Sequence, residues 1–268
     1  MSHKLEYCPL CSSSSGNAAL LTADGAHYLI DAGAACRTLE KLLKEANCSA
    51  AALSGILITH EHTDHCKGAG ALSRKYGLPI YASRGTWAAM RPALGELPEA
   101  NCIAFESGSD FFLDELRVTP FPIPHDAADP VGFAFDLRGV KISSATDMGF
   151  MAESVFQAIR GSALVLLESN HDVELLKNGR YPARLKARIL GRRGHLSNEA
   201  CARTVASLAM EGARAFLLGH LSAENNRPEL ALAASAEALS KLGLQAGADA
   251  DLLLAGRSAP EKNFVFSY

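Results

Sequence analysis

His60, His62, Asp64 and His65 fall within six consecutive positions, in the run Thr59-His60-Glu61-His62-Thr63-Asp64-His65. Imidazole nitrogens and carboxylate oxygens are donors for divalent cations such as Zn, Mn and Fe. The run follows residues 55–59, Gly-Ile-Leu-Ile-Thr, a short continuous apolar stretch of the kind that forms a strand buried on both faces. It therefore sits at a strand's C-terminal end. In extended chain, residues i and i+2 point the same way, so His60 and His62 converge on one ion. Asp64 and His65 lie one step further, where the chain turns into a helix, and face a second ion. Two ions need more donors than these four. Three further candidates each follow a strand-like segment: His125 after 121–124, Asp147 after 140–146, and His220 after 216–219. Strand ends of this kind can meet on one rim.

The elements that must position these residues follow from apolar periodicity. Strands are predicted over 18–23 and 27–31, with a turn signal at Asp24-Gly25, and again over 55–59 and 79–82. Leu39, Leu42, Leu43 and Ala46 recur at helical spacing, and a second helix is predicted around 68–76. Residues 101–147 are strand-rich, with predicted strands over 111–116, 117–121, Val131–Leu137 and 140–144. The second half alternates: strand 163–167, helix Asn198–Met210 with Ser197 or Asn198 as cap, strand 215–218, a helix opened by Asn226-Arg227-Pro228-Glu229 as a capping box, then strands 252–254 and 264–266. No Pro/Gly/Ser-rich linker divides the chain and no internal repeat is visible, so residues 1–268 are read as one domain. The alternation gives an α/β (α+β) class, with two mixed β layers between helices.

The 268 residues are 48% hydrophobic and 21% charged, which excludes intrinsic disorder and leaves ample material for a core. No apolar run is long enough for a membrane span and no secretory signal is read at the N-terminus, so no membrane partner is expected. Seven scattered cysteines read as reduced thiols of a cytoplasmic protein. Cys8-x-x-Cys11 is read as a turn between strands, because a zinc site would want a second such pair. The net charge of −3 argues against a nucleic-acid partner, but its distribution argues for one. Between Leu175 and His195 stand Lys177, Arg180, Arg184, Lys186, Arg188, Arg192 and Arg193 with no acidic residue, which leaves the rest of the chain at −10. A basic segment running directly into His195 suits a polyanion backbone. No aromatic-rich platform for RNA accompanies it.

The motifs together resemble a metallo-β-lactamase-fold hydrolase: Leu29-Ile30-Asp31-Ala32-Gly33, the run from His60 to His65, then His125, Asp147 and His220, in that order along essentially the whole chain. The resemblance implies a four-layer αββα sandwich of two mixed β-sheets flanked by helices. It implies one metal on His60, His62 and His125, another on Asp64, His65 and His220, and Asp147 bridging both. Finer segments resemble the YycJ/WalJ branch, described as DNA 5′-exonucleases: Ser14-Ser15-Gly16-Asn17, His125-Asp126-Ala127-Ala128-Asp129-Pro130, Leu167-Glu168-Ser169-Asn170-His171-Asp172, Gly194-His195-Leu196-Ser197-Asn198, and residues 220–226. Glu168 and His195 also resemble the Glu and His motifs of ribonuclease Z.

Two divalent ions flanking a water would lower its pKa toward neutrality and offset charge on a phosphate. Asp64 would orient the nucleophile or take its proton. Glu168 paired with His195 would supply the proton that a leaving 3′-oxygen needs. Asn17, His171, Arg192, Arg193, Asn225 and Asn226 are the expected substrate contacts. The reading is thus a metal-dependent phosphodiesterase, with DNA ahead of RNA as substrate. The rival is a dinuclear-metal hydrolase of a small substrate such as a thioester, lactam or cyclic nucleotide. A non-catalytic metal-binding module would have no use for an open, water-bearing site.

Overall fold

The computed structural model describes residues 4–260 and 263–267. Its strands are β1 (Lys4–Ser13), β2 (Gly16–Ala23), β3 (Ala26–Ile30), β4 (Leu53–Leu57), β5 (Ile80–Ser83), β6 (Cys102–Phe105), β7 (Phe111–Leu113), β8 (Leu116–Pro122), β9 (Val131–Leu137), β10 (Val140–Ala145), β11 (Leu164–Glu168), β12 (Ala215–Gly219), β13 (Asp251–Leu254) and β14 (Phe264–Ser267). Its helices are α1 (Cys36–Glu45), α2 (Thr63–Cys66), α3 (Ala69–Tyr76), α4 (Arg84–Leu94), α5 (Glu153–Ile159), α6 (Val173–Asn178), α7 (Ala183–Ile189), α8 (Asn198–Met210) and α9 (Pro228–Ser240).

The strands form two seven-stranded sheets, ordered β14-β1-β2-β3-β4-β5-β6 and β13-β12-β11-β10-β9-β8-β7. Each is mixed in the same way. The β14-β1-β2-β3 and β7-β8-β9-β10 portions are antiparallel. The β3-β4-β5-β6 and β10-β11-β12-β13 portions are parallel. Buried side chains sort into three layers by strict alternation. Leu29 and Ile56 face α1, α3 and α4. Their neighbours Tyr28, Ile30 and Leu57 face the other sheet, where they share a core with Phe133, Phe135, Leu166 and Leu217. Val165, Leu167, Phe216 and Leu218 face Val155 of α5, Val205 of α8 and Leu239 of α9. Burial on both faces is why these strands read as unbroken apolar runs. The four layers are helix, sheet, sheet, helix.

Several local expectations need correction. Cys8 and Cys11 do not flank a turn; both lie buried inside β1, with a register irregularity between Pro9 and Cys11. Burial pushes both thiols up to about 11, so they act as small apolar groups. The predicted strand 111–116 is interrupted at Asp114-Glu115, where Asp114 adopts a left-handed backbone (φ 52°) and turns β7 into β8. The helix after Asn226 has no capping box. Arg227 takes the cap position without a side-chain bond, and Asn226 is committed elsewhere. Ser197 does cap α8, accepting from the Ala200 amide. No helix among the described residues is long and apolar enough to cross a membrane.

One glycine ties the fold to the metal-ligand run. After β3 the chain passes between the start of β2 and α2, with the Ala32 amide donating to the His65 carbonyl (2.7 Å) and the Gly33 amide to the Asn17 carbonyl (2.9 Å). A Cβ at Gly33 would lie 1.7 Å from the Asp64 carbonyl oxygen and 2.6 Å from the Asn17 amide nitrogen, both backbone atoms. Gly33→Ala should therefore cost more than about 3 kcal/mol in denaturant unfolding, because rigid backbone must move. A loss below about 1 kcal/mol would show that α2 is not held against this loop.

Candidate metal centre and active site

The candidate ligands lie on one rim of the sandwich, some in the loops that follow strands and His62, Asp64 and His65 at the start of and within α2. His60 follows β4, His125 follows β8, Asp147 follows β10 and His220 follows β12, while Glu168 is the last residue of β11. Asp31, immediately after β3, joins them. Asp31, Asp147 and His220 have left-handed backbones with φ of 58°, 60° and 55°. Asp and His tolerate that region better than most residues but gain nothing intrinsic from it. Three such conformations at one rim are backbone strain concentrated at a site, where they turn the side chains off the strand line toward a common centre.

The first donor set is His60, His62 and His125. His60 Nε2 lies 3.1 Å from His62 Nδ1, and His125 Nε2 lies 3.3 Å from the same atom. Ligand nitrogens around a tetrahedral ion with bonds of about 2.0–2.1 Å are about 3.3 Å apart, so the spacing fits. The far ring nitrogens are held. His60 Nδ1 lies 3.0 Å from Thr59 Oγ1, whose hydroxyl donates to Asp31 (3.0 Å). His125 Nδ1 lies 3.2 Å from the Gly194 carbonyl. Placing the proton on Nδ1 in both rings leaves Nε2 as the metal-facing atom. Burial pushes the His60 pKa well down, helped by the neighbouring imidazoles, and burial lowers His125 too; both are held in the neutral, ligating form.

The second set is Asp64, His65 and His220, with Asp147 between the two. Asp64 Oδ2 lies 3.7 Å from His65 Nε2 and 3.8 Å from His220 Nε2. Asp147 Oδ2 lies 3.3 Å from His65 Nε2, and Asp147 Oδ1 lies 3.9 Å from His125 Nε2. One carboxylate thus reaches a histidine of each set. His65 Nδ1 is fixed by Asp31 Oδ2 (2.8 Å) and His220 Nδ1 by Glu168 Oε1 (2.7 Å). Asp147 Oδ2 and His220 Nε2 are buried without any hydrogen-bond partner. Buried polar atoms are nearly always satisfied, so two orphans aimed into a ring of donors mark the place of a cation. The residues present fit divalent metal.

Glu168 is fully buried and accepts four hydrogen bonds. Oε1 takes His195 Nδ1 (2.8 Å) and His220 Nδ1 (2.7 Å), and Oε2 takes the amides of Met148 (2.9 Å) and Leu196 (3.0 Å). Burial alone would raise its pKa. The adjacent His195 and His220 rings outweigh that and hold the carboxyl at about 2. His195 is partly buried; its desolvation disfavours the charged form, but Glu168 and Asp147 beside it raise its pKa above the ordinary range. With Nδ1 engaged, Nε2 is the edge of His195 left for the cavity that this ring lines.

That cavity, of about 230 Å³, is lined by His62, Asp64, Asp147, His195 and His220 together with Tyr181, Leu185 and Arg188 of the α6–α7 segment. The expected substrate contacts scatter. Asn17 is packed against His65, with Nδ2 3.0 Å from His65 Nε2 and Oδ1 accepting from the Ser13 amide. His171 is buried with neither ring nitrogen partnered, outside the cavity wall. Asn225 is buried beside a second basin of about 840 Å³ that meets the first at Tyr181. Asn226 is spent internally. Its Nδ2 donates to the Ser169 and Asn170 carbonyls and to Asn198 Oδ1, and its Oδ1 accepts from Asn198 Nδ2 and the Arg227 amide. Arg192 stacks on Phe150, 4.4 Å from the ring centroid, and neither it nor Arg193 reaches the cavity wall. Sequence reasoning gave no individual role to Asp31, Thr59, Tyr181 or Arg188. Asp31 stands in a recognisable motif and Arg188 is one of the seven cations of the basic segment read as facing a polyanion; Thr59 and Tyr181 had no signal that singled them out.

A family profile described as the beta-lactamase superfamily domain matches residues 27–221. The chain therefore belongs to the beta-lactamase superfamily, and its fold and donor sets make it a hydrolase that uses divalent metal. Within that superfamily it is 38% identical over 243 residues to exodeoxyribonuclease YycJ of Bacillus anthracis, covering 91% of this chain and 92% of that protein. It is 37% identical over 246 residues to exodeoxyribonuclease WalJ of Streptococcus pneumoniae, covering 91% of each. The metallo-β-lactamase-fold protein YhfI of Bacillus subtilis superposes with a TM-score of 0.73 at 16% identity, over 99% of this chain and 100% of that one, which establishes the fold.

Asp147→Ala should strip metal from the purified protein, read by elemental analysis. Asp31→Asn should retain the fold but weaken metal affinity by about 10–100-fold, the usual effect of losing a group that orients a ligand. Full metal content in Asp147→Ala would show that this carboxylate is not a ligand.

Proposed function

We propose that this protein is a metal-dependent phosphodiesterase, specifically a DNA 5′-exonuclease working with two divalent ions, Zn, Mn or Fe. His60, His62 and His125 would hold one ion, Asp64, His65 and His220 the other, and Asp147 would serve both. The observation that carries the reading is the pairing of buried Glu168 with His195, whose ring lines the same small cavity as members of the donor sets. Hydrolysis of a phosphodiester needs a proton for its leaving oxygen, and this pair can deliver one. The exodeoxyribonuclease names of the two relatives support DNA as the polymer.

Bound divalent ions supply a nucleophile from water at neutral pH and positive charge against the phosphate. Asp64, partly exposed at the cavity edge, is placed to orient that nucleophile and accept its proton. His195 carries a proton on Nε2 toward the leaving 3′-oxygen, while Glu168 holds Nδ1 and keeps the ring charged. Residues 1–268 work as one domain on this reading, since ligands from His60 to His220 serve one centre. Seven unpaired thiols suit a cytoplasmic setting.

End-labelled DNA and RNA digested with a panel of Mn²⁺, Zn²⁺ and Fe²⁺ should show 5′-phosphorylated DNA shortened with release of mononucleotides. Inertness toward every nucleic acid, alongside thioester hydrolysis, would favour the small-substrate alternative. His195→Ala should keep its metal and lose about 10²–10⁴-fold in kcat. The pH dependence has a fixed sign. A general acid whose pKa is raised is active below that pKa and fails as pH rises through it, so kcat should fall on the alkaline side. Glu168→Gln should move that limb to lower pH, and an unmoved limb would remove His195 from the role.

A further inference from the structure

The basic segment resolves into cations with different surroundings. Lys177 is paired with Glu174 (3.2 Å), Lys186 donates to the Lys177 carbonyl (2.7 Å), and Arg192 lies over Phe150. Arg188 is the one lysine or arginine among the described residues that line the metal cavity. It is also anchored. Its Nε and Nη2 donate to Asp126 Oδ2 (2.5 Å) and Oδ1 (2.9 Å), a two-point grip on the residue next to His125. A guanidinium has five N–H groups in a rigid plane, and this grip uses two of them. The Nη1 edge keeps both of its hydrogens, and the fork cannot swing away while Asp126 holds it.

We infer that Arg188 is the phosphate-binding cation of this cavity and that Asp126 is the residue that positions it. The inference rests on the nuclease reading and deepens it. A strand entering the site must bring phosphate oxygens past the α7 wall, and Arg188 alone there can donate a charge-assisted pair of hydrogen bonds to them. Lysine at this position would keep the charge and lose the fork. Asp126 does not itself line the cavity: it stands between Arg188 and His125, with Oδ1 3.5 Å from His125 Nε2, and its charge is taken up by the arginine that does. Arg192 and Arg193 stay outside this function, since neither reaches the wall.

The phosphate is either the scissile one or the 5′-terminal one, and substrate chemistry separates them. Metal-loaded wild type, Arg188→Ala, Arg188→Lys and Asp126→Asn are compared on oligonucleotides with a 5′-phosphate and with a 5′-hydroxyl. The readouts are kcat, KM, the Kd of a fluorescent oligonucleotide by anisotropy, metal content and Tm. Arg188→Ala should raise KM and Kd about 10–100-fold with metal retained. Added guanidinium ion should restore part of the loss, and Arg188→Lys and Asp126→Asn should fall between. A rise on both substrates assigns Arg188 to the scissile phosphate, and a rise on the 5′-phosphorylated one alone assigns it to the terminal phosphate. An active wild type with unchanged KM and Kd in Arg188→Ala, or a lower Tm without guanidinium rescue, overturns this inference alone. A wild type inert on all nucleic acid overturns it together with the nuclease reading.

Discussion

A carboxylate oxygen that makes no hydrogen bond, buried among imidazoles with His65 Nε2 3.3 Å away, is the feature on which the rest of the rim depends. Asp147 Oδ2 has no hydrogen bond, and the side chain is almost fully buried. Leaving such a charge uncompensated costs several kcal/mol, so something positive must stand beside it. Protons on His65 and His220 can supply that charge, and Asp147 in turn pulls the His220 pKa up to about 10 against the effect of burial. A divalent cation supplies it better, since it also satisfies His220 Nε2. Metal and protons would then compete for the same donors, and loading the site would release protons.

That competition explains the depth of the supporting network. Each histidine of the rim has one nitrogen toward the centre, and for four of the candidate ligands the other nitrogen has a fixed partner: Thr59 for His60, Asp31 for His65, Gly194 for His125 and Glu168 for His220. Asp31 reaches both sets, through Thr59 on one side and His65 on the other. Glu168 does the same between His220 and His195, so it links a ligand to the candidate acid. The network is rigid because its members sit at strand ends in a doubly covered sandwich. The left-handed conformations of Asp31, Asp147 and His220 are what that rigidity sustains.

Much of this was legible beforehand, for physical reasons. Strands buried on both faces announce themselves as apolar runs, and the ligands stand directly after them. Hence the strands around 27–31, 55–59, 163–167 and 215–218 could be read together with His60, His220 and Glu168. Other parts hid. β1 has no alternation, because nearly all its residues are buried and its register breaks near Pro9. α4 contains Gly85 and Pro92, which read as breakers. The α6–α7 segment showed its charge and concealed its arrangement: only the fold reveals that Arg188 faces the metal cavity while Arg192 lies on Phe150. Asn226 was read as a substrate contact because it is a polar residue beside a ligand motif; the fold shows its amide bonded to Asn198 and to two carbonyls.

The central claim is that these donors form one two-ion centre with Asp147 in the middle. X-ray diffraction with anomalous scattering from the metal-loaded protein tests it directly. The account predicts two ions about 3.5–4 Å apart, the separation of two-metal hydrolases. One would lie among His60, His62 and His125, the other among Asp64, His65 and His220, with an Asp147 oxygen toward each. A single ion held without Asp147, or ions bound away from this rim, would contradict it.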